Sequence, residues 1–304
     1  MTDTLTDLLP DWKLYLESAG KSHNTVAIYV RAAADLAEYV GDVPVTRVNH
    51  RLVRRYLAHT ASRPLRNNPA KTVSKGYVNQ QYRSLLQLFK WLHVIEEEIT
   101  VDPMVKVAAP ALENKLVPVI PDDDMKKLVE ACRGDGFRAR RDLAAIRILI
   151  DTGCRRAELI GLTVQGIQFN PHAITVIGKG ERPRVIPFGT KTSRAIRRYL
   201  RVRQEHRLAS QTDQFLIGRK GPMCLSALRD ILERRCREAG VQHVIPHQFR
   251  HSLANSWLEA GGGETDLMYL AGWKSRDMLK IYGASQAAER ARKAHRDRAL
   301  GDRI

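Results

Sequence analysis

An imidazole and a guanidinium stand three residues apart at His247 and Arg250, within Pro246-His247-Gln248-Phe249-Arg250-His251. On a helix that spacing puts both on one face. Pro246 suits the first turn, where its missing N–H would have no partner in any case. A proton donor beside a fixed cation is what a site needs when a phosphate gains negative charge in a transition state. Other groups able to join such a site lie at a distance along the chain. Arg155 and Glu158 are three apart in Thr152-Gly153-Cys154-Arg155-Arg156-Ala157-Glu158-Leu159, Lys179 stands between two glycines, and Tyr282 follows Ile281. Taken singly, each has a plainer explanation: an ion pair at a helix start, a turn, a structural tyrosine. Trp273, in Leu270-Ala271-Gly272-Trp273, reads as core packing, although its indole N–H can also donate one hydrogen bond. His247 and His251 have the spacing of a helical metal pair. No Glu follows His247, however, and Arg250 between them would repel a cation, so no metal is expected.

The elements that must position these groups can be traced from periodicity. Residues 1–106 read as four helices. Leu8, Trp12 and Leu16, then Val26, Tyr29, Val30, Ala33, Leu36, Ala37 and Val40, keep helical spacing. Ser22, Asn24 and Thr25 offer N-caps, and Gly41 a stop. A third helix spans about 49–60, and a fourth carries Tyr77, Val78, Tyr82, Leu85, Leu86, Phe89, Leu92 and Ile95 on one side. Between them, Ser62–Ser74 holds Pro64, Asn67, Asn68 and Pro69 and reads as a loop. Residues 107–121 contain Pro110, Pro118 and Pro121 without amphipathic period, which marks a linker to a second domain over 122–304. There Asp122-Asp123-Asp124 opens a helix, Asp142–Asp151 reads as a buried one, and strands are expected at about 164–169, 173–177 and 184–188. From 191 onward the pattern is helical again.

Fifty Lys+Arg against 33 Asp+Glu give a net charge of +17, which points to a polyanionic partner, nucleic acid before membrane surface. The distribution sharpens this. Val43 to Ile95 contains no Asp or Glu, while Arg47, Arg51, Arg54, Arg55, Arg63, Arg66, Lys71, Lys75, Arg83 and Lys90 all fall inside it. A solvated face mixes the two signs; a one-sign stretch within a helical pattern reads as a phosphate-binding surface. No apolar run approaches the roughly 20 residues of a membrane helix, and the N-terminus lacks the order of a secretion signal. The expected location is the cytoplasm, at the nucleoid. The four cysteines show neither a CxxC pair nor zinc spacing, so reduced, mostly buried thiols are expected.

In order and spacing these positions resemble the tyrosine recombinase family, which includes phage integrases, the Xer recombinases and Cre. The pattern T-G-x-R-x-x-E-L runs from Thr152 to Leu159, and the family's lysine falls at Lys179, 24 residues after Arg155. The H-x-x-R box is His247 to Arg250, the His-or-Trp position is Trp273, 23 residues on, and the nucleophile position is Tyr282, a further 9 on. Most members carry histidine where Trp273 stands; Cre-like members also use tryptophan. The resemblance covers essentially the whole chain. It implies a mainly α, two-domain protein: a four-helix, SAM-like core-binding domain ahead of an α+β catalytic domain with a small three-stranded antiparallel sheet, the DNA breaking-rejoining fold. The chain starts at the core-binding helices, so the arm-binding domain of lambda-type integrases is expected to be missing.

The resemblance also implies roles. Tyr282 attacks a DNA phosphate and forms a 3′-phosphotyrosyl bond, while Arg155 and Arg250 hold the non-bridging oxygens. Lys179 protonates the leaving 5′-oxygen, His247 assists as a proton-transfer or hydrogen-bonding group, and Trp273 donates to the phosphate and packs the pocket. Glu158 orients the cations. Arg47, Arg51, Arg54, Arg55, Lys71, Lys75 and Arg83 are expected to contact DNA. No cofactor is implied; the partners are double-stranded DNA, three more copies of the chain in a tetramer on paired sites, and accessory proteins. The expected role is integration of a phage or mobile element. The alternatives are Xer-like dimer resolution, a type IB topoisomerase-like relaxing enzyme, and a non-catalytic DNA-binding regulator on the same fold. The last has no use for a phenol nucleophile.

Overall fold

Side-chain caps set the starts of three N-terminal helices. Ser22 Oγ accepts from the Thr25 N–H at 3.3 Å, Asn49 Oδ1 from those of Arg51 and Leu52 at 2.9 and 3.2 Å, and Ser74 Oγ from that of Tyr77 at 3.1 Å. Each supplies an acceptor to amides that have no partner inside the helix. The helices that follow are α2 (His23–Val40), α3 (His50–Ser62) and α4 (Lys75–Val94), preceded by α1 (Leu9–Ser18). The structure is a computed structural model that describes residues 3–65, 68–112, 117–178, 183–279, 291–292 and 295–297.

Trp12, Leu16, Leu36, Val53, Leu85, Phe89, Trp91 and Leu92 form the buried interior of this first unit, with the Trp12 and Trp91 rings 5.1 Å apart. Residues 62–74, expected as a loop, instead contain an antiparallel pair, β1 (Pro64–Leu65) and β2 (Asn68–Thr72). Proline and asparagine are poor strand formers, so side-chain pattern gave no signal there. Backbone pairing carries the hairpin, closed by the Val73 N–H donating to the Arg63 carbonyl at 3.0 Å.

The chain divides into two units, Met1–Asn114 and Lys115–Ile304, and the division falls within the proline-bearing stretch 107–121. The second unit begins with α5 (Asp122–Glu130), α6 (Phe137–Thr152) and α7 (Arg156–Ile160). A three-stranded antiparallel sheet follows, ordered β3 (Ile167–Phe169), β4 (His172–Ile177), β5 (Pro183–Pro187). Ile174 pairs with both Ile167 and Ile186, so one register buries an isoleucine from each strand. Then come α8 (Thr190–Gln204), α9 (Leu225–Ala239), α10 (Pro246–Glu259) and α11 (Glu264–Ala271). This is the mainly helical fold with a small three-stranded sheet expected from the sequence. No described helix is long and apolar enough to cross a membrane.

Helix α6 runs through the core, with Ala144, Ala145, Ile146, Ile148 and Leu149 all buried. At its first turns it carries Asp142, fully buried and surrounded by guanidinium groups. Asp142 Oδ1 accepts from Arg141 at 2.8 and 3.0 Å, and Oδ2 from Arg234 at 2.6 Å and Arg235 at 2.8 and 3.0 Å. A carboxylate this deep persists because its lone pairs are saturated, and the contacts clamp α9 onto α6. At its other end α6 stops at Gly153 in the left-handed region, φ 54°. A side chain there would place Cβ 2.9 Å from Leu253 Cδ2 and 3.2 Å from Arg250 Cα, so glycine is what lets α10 close on this turn.

Candidate active site

Arg155 occupies the N-cap of α7, immediately after the α6 stop, and Glu158 occupies the third position of the same helix. Arg155 donates twice to the one carboxylate. Glu158 Oε2 accepts from the Arg155 backbone N–H at 2.7 Å, and Glu158 Oε1 from Arg155 Nη1 at 2.8 Å. A second guanidinium reaches the same carboxylate from β5: Arg184 Nη1 and Nη2 donate to Oε1 and Oε2, both at 2.9 Å. The Glu158 side chain is 2% exposed. Burial pushes its pKa up, but the hydrogen bonds from Arg184 and Arg155 outweigh that and hold it below the usual carboxylate value.

Arg250 approaches from α10 and is buried. Its Nη1 donates to the Gly153 carbonyl at 3.1 Å and its Nη2 to the Ala271 carbonyl. Arg155 Nη2 donates to the next carbonyl, that of Gly272, at 3.3 Å. Two arginines 95 residues apart in sequence are thus anchored on successive carbonyls at the C-terminal end of α11, where unpaired carbonyls and the helix dipole favour cations. Trp273, buried, continues from that turn and lies beneath Arg250, whose Cζ is 5.2 Å from the indole centroid.

Cys154, Arg155, Arg229, His247 and Arg250 line one concavity of about 270 Å³. Burial lowers the His247 pKa first, and the charges of Arg250 and Arg155 lower it further, so the imidazole is neutral at physiological pH. The His251 ring lies one turn further on, edge-on to His247 with centroids 4.8 Å apart, and burial, then His247 and Arg250, take its pKa down to about 4. Arg155, Arg250 and a neutral imidazole, with Arg156 and Arg229 also in the lining, can hold the oxygens of a phosphate and stabilise added charge there.

Of the positions singled out in the sequence, Arg155, Glu158, His247, Arg250 and Trp273 come together here. Lys179 and Tyr282 lie outside the described residues. In the first unit, Arg47, Arg51, Arg54, Arg55, Lys71, Lys75 and Arg83 are all exposed, with Lys71 on β2 rather than in a loop; Arg66 falls outside the described residues. The reading from sequence missed Arg184. A signal existed: on β5 it alternates in phase with buried Ile186, and an arginine at an inward position of a strand must find an anion.

Residues 118–289 match the Phage integrase family. The tyrosine recombinase XerC of Thermodesulfovibrio yellowstonii is 30% identical over 218 residues, covering 70% of this chain and 72% of that one. XerC of Pelobacter propionicus is 27% identical over 285 residues, covering 91% and 90%. Among solved structures, the Tn1549 transposon integrase in complex with transposon right end DNA aligns with a TM-score of 0.75 at 21% identity, covering 98% of this chain and 100% of that one. A lambda integrase tetramer bound to a Holliday junction aligns at 0.71 and 17%, covering 92% and 77%.

Proposed function

This chain belongs to the phage integrase family and is a tyrosine site-specific recombinase, and on that footing we propose that Tyr282 is the nucleophile that opens and reseals the DNA strand. Its phenol oxygen attacks the scissile phosphorus and the bond to the 5′-oxygen breaks, leaving a 3′-phosphotyrosyl ester. Lys179 delivers the proton to the departing 5′-oxygen, and neutral His247 takes up the phenol proton or shares it by hydrogen bond. Attack by a 5′-hydroxyl of the partner strand reverses the chemistry. The ester conserves the bond energy, so no ATP is consumed.

Arg155 and Arg250 hold the non-bridging oxygens in forked geometry through the pentavalent state. A preorganised donor of this kind is typically worth about 3–4 kcal/mol. Fixed guanidinium groups supply charge neutralisation that a divalent cation gives elsewhere. Glu158 orients Arg155, and Trp273 packs the pocket and donates to the phosphate. The observation that carries this reading is the convergence of Arg155 and Arg250 on consecutive carbonyls beside His247.

The substrate is double-stranded DNA in the cytoplasm, gripped largely through phosphates by the one-sign cationic surface of the first unit. Strand exchange needs two duplexes and therefore four copies of the chain; the lambda integrase tetramer on a Holliday junction supports that stoichiometry. Integration of a mobile element is the favoured role, supported by the likeness to the Tn1549 integrase. Xer-like resolution is the second reading, favoured by the names of the curated relatives. A nicked suicide duplex, recovered from a randomised library by covalent capture on the enzyme, tests the chemistry. A covalent protein–DNA adduct forms with the wild type and vanishes in Tyr282→Phe while DNA binding survives. An adduct that persists in that variant removes Tyr282 from the role. Recombinant junctions, rather than relaxed circles alone, decide against a merely relaxing enzyme.

A further inference from the structure

Glu158 is a single carboxylate shared by two guanidinium groups, and only one of them, Arg155, reaches the concavity. We propose that Arg184 is a positioning residue whose charge offsets Glu158 and so leaves the Arg155 cation available to the DNA phosphate. The inference rests on the recombinase chemistry proposed above, and it assigns a role to a residue outside the expected set.

Charge balance comes first. Two guanidinium groups and one carboxylate sum to 2 − 1 = +1. Without Arg184 the remaining Arg155–Glu158 pair sums to zero, and of the two arginines that hold the phosphate only Arg250 keeps a net positive charge, with Arg156 and Arg229 elsewhere in the lining. The carboxylate is almost fully buried, so its field is poorly screened by water and acts strongly on the nearest cation. The Arg184 side chain is 11% exposed against 43% for Arg155, so Arg184 is the guanidinium turned inward and Arg155 the one turned outward.

Geometry agrees. Arg184 makes the forked contact to both carboxylate oxygens, whereas the Arg155 guanidinium takes Oε1 alone and keeps Nη2 directed at Gly272. The guanidinium end of Arg184 packs so closely on Gly272 that a Cβ there would lie 2.8 Å from Arg184 Nη1 and 3.3 Å from its Cδ. One side chain on β5 therefore braces both the acid that holds Arg155 and the turn that carries the carbonyl Arg155 points to. Arg184 itself does not line the concavity.

The test reads the rate of covalent adduct formation on the captured suicide duplex, with DNA affinity measured in parallel. Arg184→Gln lowers the adduct rate by about 100-fold, on the scale of losing one preorganised donor, with affinity changed less than about threefold. The double variant Glu158→Gln/Arg184→Gln recovers at least about tenfold of that loss, because glutamine still accepts from the Arg155 N–H but no longer neutralises its guanidinium. A scissile methylphosphonate, which lacks the oxygen charge, shrinks the ratio between wild type and Arg184→Gln. A residue needed only for folding produces neither rescue. Arg184→Lys, which keeps the charge and loses the fork, stays within about tenfold of wild type. A double variant as slow as or slower than Arg184→Gln overturns the proposal, as does Arg184→Lys more than about tenfold slower than wild type; should Arg184→Gln not fold, that comparison of lysine variant with wild type decides alone. A wild type that captures no DNA overturns instead the recombinase chemistry itself, and this inference with it.

Discussion

His251 sits one helical turn behind His247 and is buried, edge-on to its ring. Its pKa, down to about 4 from 6.5, makes the protein's stability depend on pH in a defined window. The unfolded chain binds a proton at this position below pH 6.5 and the folded protein does not until about 4. Stability from this site is therefore complete above 6.5 and is lost progressively as pH falls toward 4. Glu158 adds a second loss in the same direction but lower, below its ordinary value of 4.5, because its folded pKa is depressed too. Melting temperatures measured between pH 7 and pH 4 should fall, and His251→Gln should flatten the upper part of that slope. An unchanged slope in the variant assigns the titration elsewhere. At this scale the site was largely legible, because Arg155, Glu158, His247, Arg250 and Trp273 keep a diagnostic order along the chain. Arg184 was not: its anion lies 26 residues upstream and meets it only after β5 has paired and folded back.

Helices α6 and α10 meet at one glycine, and α6 and α9 at one aspartate; the two junctions fail differently when altered. Gly153→Ala forces a Cβ into the left-handed region and against the Arg250 backbone. The expected cost is about 1–2 kcal/mol from conformation alone, with a larger proportional loss of adduct rate than of DNA binding, since α10 carries His247 and Arg250. Urea unfolding and the suicide-duplex assay separate the two. Asp142→Asn leaves buried Arg141 and Arg235 without their counter-charge and should cost about 3 kcal/mol or more. Arg234→Ala, at the half-exposed rim of the same cluster, should cost under about 1 kcal/mol. Equal losses at Asp142 and Arg234 mean that the cluster is solvated rather than buried. The apolar stretch around α6 was readable from periodicity. Its clamp was not, because Arg234 and Arg235 lie 92 and 93 residues from Asp142 and nothing local in either segment names the other. The β1–β2 hairpin escaped notice for a related reason: it is held by main-chain bonds among residues with poor strand propensity.

Over the whole chain 50 basic residues stand against 33 acidic ones, and in the first unit the positive charge is gathered in the acid-free stretch from Val43 to Ile95. Its described cations at 47, 51, 54, 55, 63, 71, 75, 83 and 90 are all exposed, on helices, a short strand and the turns between. Exposed lysines and arginines bind DNA mainly by releasing the counterions condensed on phosphates, a contribution blind to base sequence. If about eight phosphates are neutralised per protomer, the logarithm of affinity falls with the logarithm of salt concentration with a slope near −7. Lys71 lies near the end of β2 and Lys75 opens α4, and both are exposed. Replacing both by alanine should make the slope shallower by up to about 2, at roughly 0.9 per contact, and weaken captured and random duplexes by the same factor. Titrations of both duplexes across a salt series measure this directly. A loss confined to the captured sequence, with the slope intact, means that these lysines read bases rather than backbone and that the positive stretch specifies the DNA site instead of merely holding it.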